Sequence, residues 1–140
     1  MAAYVRQRPP RWFRSVALIA TAWGVFCCFF YLRQLLSGAA AMGPFDAAHF
    51  APLPGWYAPV HGLAVAGLTL GGVAMLARAA TARMLFALAF AALVVQFAMT
   101  LAGTPLLHGA AALAFPGLLI VVAAVETWFT HQARRRGWIC

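Results

Sequence analysis

A chain of 140 residues that is 65% hydrophobic and 9% charged has the length of one domain and too little polar surface for a soluble one. A core of this size cannot hide so much apolar side chain, whereas a lipid bilayer is itself an apolar solvent. The net charge of +8 would suit nucleic acid if it formed one basic face, but the arginines gather at the ends of apolar runs, so they read as topology signals and nucleic acid is excluded as a partner.

All ten basic residues are arginine, and alanine is abundant, the composition of a GC-rich, bacterial genome. The chain opens on a basic stretch, RQRPPRWFR, with Arg6, Arg8, Arg11 and Arg14. It suits anionic lipid, but its first reading is a topology signal. A membrane span needs about 20 mostly apolar residues, and the first such run covers roughly 15–36. Basic start, apolar run and then SGAAA is also the order of a signal peptide. This run exceeds the roughly 7–15 apolar residues of such peptides, and Arg33 interrupts it, which favours a retained span.

A long outer loop follows, 37–56, rich in Gly, Ala and Pro, with Asp46 as its acid. Phe45, Phe50 and Trp56 suit it to lie on the membrane surface. The second run, roughly 57–77, and the third, roughly 84–102, are joined by a short turn between Arg78 and Arg83, which predicts an antiparallel hairpin. The short link GTPLLHG leads into the fourth run, roughly 109–130, where Pro116-Gly117 predicts a kink or a loosened hydrogen bond. Arg134, Arg135 and Arg136 follow it.

In lipid each span must satisfy its own backbone, so each is expected to be helical, and no alternating segments suggest a barrel. Four crossings put nine arginines on one side and leave only Arg33 on the other. The expectation is one four-helix domain over 1–140, an antiparallel all-α transmembrane bundle with both termini cytoplasmic. Trp12, Trp56, Trp128 and Trp138 suit interfacial anchors. Cys27, Cys28 and Cys140 have the spacing of neither a disulfide framework nor a zinc site.

Close packing, not apolarity, holds helices together in lipid. Ala64, Gly67, Gly71 and Ala74 form a small-residue stripe on the second span, facing a helix of this chain or of a partner. His61 sits about one turn into that span, just after Pro59, and His108 at the start of the fourth; with His49 and Asp46 they share one face of the membrane. Histidine ligates zinc, copper and haem iron, so haem or a metal at His61 and His108 is one reading. No two of them have close ligand spacing, and an interfacial polar anchor is the reading favoured for His61. Neither a cofactor nor a metal is therefore expected.

Gln96 lies about 20 Å along its helix from Arg83 and needs a partner across the bundle: a hydroxyl, a backbone carbonyl or a ligand. Glu126 is the only glutamate. It is either a proton relay or, the favoured reading, one half of an interfacial ion pair with Arg78, Arg83 or Arg134. Arg33 can pair with Asp46 or snorkel to headgroups. No GxSxG, P-loop or HExxH occurs, and the two carboxylates fall on opposite faces, so no catalytic residue and no enzymatic activity are expected.

Trp23 and Gly24, then Pro54 and Trp56, then Gly71-Gly72 followed by Arg78, then Gln96 in VVQF, form an order that resembles a group of small four-span bacterial membrane proteins, some loosely labelled sugar-transporter-like. The resemblance covers about Ala22 to Gln96, with an echo in RRRGW; Ala79 and Ala80 stand where such proteins tend to be basic. It implies a four-helix fold in a bacterial inner membrane. Three functions are then weighed. The first is an accessory subunit of a larger membrane complex, with a respiratory or photosynthetic host in view, whose partners are lipid and other membrane subunits. The others are a small oligomeric transporter or channel, and a haem- or metal-binding redox protein.

Overall fold

The computed structural model describes residues 7–37, 55–103 and 109–140. These form four helices and, among the described residues, no strand: α1 (Arg11–Ser37), α2 (Tyr57–Leu76), α3 (Thr81–Gly103) and α4 (Gly109–Arg135). Three of them, α1 to α3, are long and apolar enough to cross a membrane. The helices overrun the apolar runs at the arginine-bearing ends. α1 begins at Arg11, directly after Pro9-Pro10, and α4 continues through Arg134 and Arg135. Hydropathy marks where lipid contact ends; in α1 and α4 helical backbone bonding extends beyond it toward the flanking Pro10 and Gly137. Pro116 lies inside α4, which continues on both sides of it.

Helix order in space follows the chain: α2 packs between α1 and α3, and α4 packs on α3. The interior is built of small residues such as Ala17, Ala20, Ala64, Ala89 and Ala123, while Leu18, Ile19, Phe29 and Val121 face outward. This inverts the soluble pattern, because lipid solvates large side chains and only close backbone approach favours contact. Glycine provides that approach on two faces of α2. A Cβ on Gly72 would sit 2.7 Å from the Thr21 Cα, and one on Gly24 2.7 Å from the Thr69 Cα, so α1 and α2 touch backbone to backbone. On the other face, a Cβ on Gly67 would lie 2.9 Å from the Ala89 Cβ, and one on Gly71 would lie 3.1 Å from the Phe86 ring. The stripe Ala64, Gly67, Gly71 and Ala74 is thus occupied within the chain: Gly67 and Gly71 receive α3, and Ala64 and Ala74 belong to the core.

At the arginine end both α2 and α4 stop in a left-handed cap. Gly137 has φ 68°, Trp138 N donates to Ala133 O at 2.9 Å, and Gly137 N to Arg134 O at 2.9 Å. α2 uses the same bonding, Ala79 N to Ala74 O and Arg78 N to Met75 O, but places Arg78 at the position glycine usually takes, with φ 59°. A non-glycine residue there is strained by about 1–2 kcal/mol. The Arg78 side chain offsets this: Nε donates to Trp138 O at 2.9 Å and Nη2 to Gln7 O at 3.1 Å. Arg78 O accepts from Cys140 N, Ala80 N donates to Cys140 O, and Gln7 N to Gly137 O, so the α2–α3 turn clasps the segment before α1 and the segment after α4.

That clasp buries Trp138 and Ile139 against Phe13. The Phe13 and Phe129 rings stack at 5.9 Å, Trp138 meets Phe13 and Trp12 edge-on, and the Arg136 guanidinium lies 5.1 Å above the Trp138 ring. Trp138, expected as an interfacial anchor, is thus packed into the core at this end. Trp12, Trp56 and Trp128 are exposed.

Candidate functional site

Polar side chains meet at the opposite end, where α2 begins. α2 has no side-chain cap at Trp56, and Pro59 occupies its first turn. Side chains from the neighbouring helices bond to that turn instead. The Tyr31 hydroxyl of α1 donates to Ala58 O at 3.0 Å, and Gln96 Nε2 of α3 to Tyr57 O at 3.4 Å. Gln96 Oε1 lies 3.1 Å from His61 Nδ1. A backbone carbonyl can only accept, so Tyr57 O orients the Gln96 amide with Oε1 toward His61. Nδ1 must then carry the proton, and Nε2 keeps a lone pair. The imidazole lies between two aromatic rings, Tyr31 at 5.4 Å and Tyr57 at 6.4 Å and nearly parallel.

The structure thus joins Gln96, which is buried, to the half-buried His61. It adds Tyr31 and Tyr57, which sequence reading missed. The available signal was a tyrosine near the same end of each of the first two spans as His61. Chemically the cluster offers one lone-pair nitrogen in a tyrosine-lined setting, able to accept a proton or ligate a metal. Among the described residues no group of three His, Cys, Asp or Glu could hold a metal ion. His108, His49 and Asp46 lie outside the described residues, so the expected pairings of His108 with His61 and of Asp46 with Arg33 lie there too. Arg33 itself is exposed.

The second polar place is inside the bundle. Glu126 is 8% exposed, and its Oε2 is buried without a hydrogen-bond partner among the described residues. The carboxyl lies within electrostatic reach of the Cys27 thiol on α1. One turn along α1 from Cys27, the Trp23 indole Nε1 is also buried without a hydrogen-bond partner among the described residues. The expected ion pair is corrected for two of its three candidate arginines: the Arg78 guanidinium is bonded to Trp138 O and Gln7 O, and Arg83 lines a groove between α3 and α4. The reason is helical phase. Glu126 shares the buried stripe of Leu119, Ala123, Thr130 and Ala133, so it points inward, away from the arginine-bearing surface. An orphaned donor and an orphaned acceptor each cost stability, about 1–3 kcal/mol.

Comparison of the chain with protein-family models, with curated proteins and with solved structures finds no match.

Proposed function

We propose that this chain is a non-enzymatic subunit of a larger membrane assembly. In this reading it is a four-pass protein of the bacterial inner membrane, related to the small four-span proteins it resembles. α4 is its fourth crossing: with 27 residues it is about 40 Å long, enough for a bilayer core of about 30 Å. The clasp gathers Arg8, Arg11, Arg14, Arg78 and Arg134–Arg136 at one end, which supports termini on the cytoplasmic side.

One observation carries the subunit reading. The small-residue stripe is consumed internally, while the outer face of α1 carries a ready-made aromatic ladder. Trp23 stacks on Phe26, Phe26 meets Phe30 at a tilt with centroids 4.7 Å apart, and Phe29 meets Phe30 edge-on, with all three phenylalanines exposed. Rings already ordered against each other lose little entropy on contact and give large anchor area to a partner helix. The test is native gel migration after extraction from the source membrane in mild detergent. The wild-type chain should run with a larger complex, and Phe26→Leu with Phe29→Leu and Phe30→Leu should release it while still inserting. A wild-type chain that runs alone overturns the reading.

The orphaned Glu126 Oε2 and Trp23 Nε1 favour a second reading, a small oligomeric transporter or channel for protons or cations. Liposome flux lost on Glu126→Gln would support it, and unchanged flux would end it. The Nε2 lone pair of His61 keeps the haem or metal reading third; an absorption spectrum and elemental analysis of native protein decide it.

A further inference from the structure

An open groove of about 390 Å³ runs between α3 and α4 at the arginine end. On α3 its wall is Arg83, Ala87 and Phe90, spaced i, i+4 and i+7; on α4 it is Ala124, Trp128 and His131 at the same spacing. The helices run antiparallel, so Arg83 and His131 share the mouth, while Phe90 and Ala124 lie about 10 Å deeper. Ala87 and Ala124 are too small to fill the space between the helix axes, and this creates the slot. Thr127 also lines it, but its hydroxyl donates to Ala123 O at 2.7 Å and leaves the floor apolar. Among the described residues neither the Arg83 guanidinium nor the His131 imidazole has a hydrogen-bond partner. No acid lines the groove, and Glu126 is on the opposite, buried face of α4.

We propose that this groove is a binding site for one anionic phospholipid, with the phosphate between Arg83 and His131 and the start of one acyl chain in the slot between Ala87 and Ala124. The site rests on the membrane placement of α3 and α4. A cationic mouth above an apolar floor matches such a lipid end to end. A zwitterionic lipid would bring its own cation to Arg83. Trp128, exposed at the rim, sits where indoles favour the headgroup boundary.

The test uses the full chain in phosphatidylcholine vesicles containing a small fraction of either phosphatidylglycerol or phosphatidylcholine with brominated acyl chains. Trp128 fluorescence is isolated by difference from Trp128→Phe. Brominated phosphatidylglycerol should quench Trp128 at about fivefold lower mole fraction than brominated phosphatidylcholine, the factor one arginine near an anionic lipid surface supplies. Arg83→Gln with His131→Gln should bring the two lipids to parity, and Ala124→Phe, which fills the floor, should weaken quenching by both. Equal quenching in the wild type, or a preference that survives the double substitution, overturns the site. Flotation with the vesicles reads the placement separately. Protein that floats but shows equal quenching sinks the lipid site alone; protein that does not float sinks the placement and the site with it.

Discussion

The two ends of the bundle are tied in different ways. At the histidine end the ties are side chains: Tyr31 and Gln96 reach carbonyls of the first turn of α2, and Gln96 holds His61. At the arginine end they are mostly backbone. Two left-handed caps, three amide bonds between distant segments of the chain and the Arg78 fork close over a buried Phe13, Trp138 and Ile139. Backbone ties of this kind leave no spare valence and admit little rearrangement. The histidine end keeps, among the described residues, an imidazole nitrogen with its lone pair unused. The comparison teaches that stability is concentrated at the arginine end, and that the end able to respond to a ligand or proton is the other.

Glycine substitutions break this contrast most directly. Gly72→Ala places a Cβ 2.7 Å from the Thr21 backbone near the arginine end, where nothing can yield without parting α1 from α2. The expected loss is about 3 kcal/mol in detergent unfolding. Next in size is Arg78→Ala, which removes two charge-assisted bonds and frees the segment carrying Trp138; about 2 kcal/mol should be lost, with faster alkylation of Cys140 as a local readout. Arg78→Gly should recover about 1 kcal/mol of that, because glycine is unstrained at the same φ. If Gly and Ala behave alike, the strain assigned to Arg78 is absent.

Smaller effects belong to the histidine end. Gln96→Leu leaves the His61 Nδ1–H without its acceptor and should destabilise by about 1 kcal/mol, near the upper side of side-chain bonds measured within membranes. Gly62→Ala should be the mildest, under about 1 kcal/mol. Its Cβ would meet the Tyr31 hydroxyl at 2.6 Å, the far end of a side chain that can swing. A Gly62→Ala loss as large as that of Gly72→Ala would erase the distinction between the ends.

Much of the helix layout was legible because hydropathy and arginine placement act locally. The small-residue stripe was legible too, since 3.6-residue periodicity sets which positions share a face. The stripe's partner was not, because Gly67 and Gly71 look the same in sequence whether α3 or another chain fills them. The α1 contact at Gly24 and Gly72 was missed for a related reason: single glycines on two helices form no motif until the helices cross. Glu126 was misassigned because its distance along the helix suggested the arginines, while its rotational phase pointed it to the interior.

Sequence alone therefore determined the all-helical class, three membrane-length helices and the sorting of arginine to helix ends, since each follows from solvation of a local stretch. Tertiary structure decided which polar atoms meet and which are left over: His61 with Gln96, Arg78 with Trp138 and Gln7, and, among the described residues, Glu126 Oε2 and Trp23 Nε1 without a hydrogen-bond partner. Those outcomes depend on crossing depth and helix rotation between segments up to 71 residues apart, and backbone-to-backbone packing of small residues, which carries no pairwise code in the sequence, sets both.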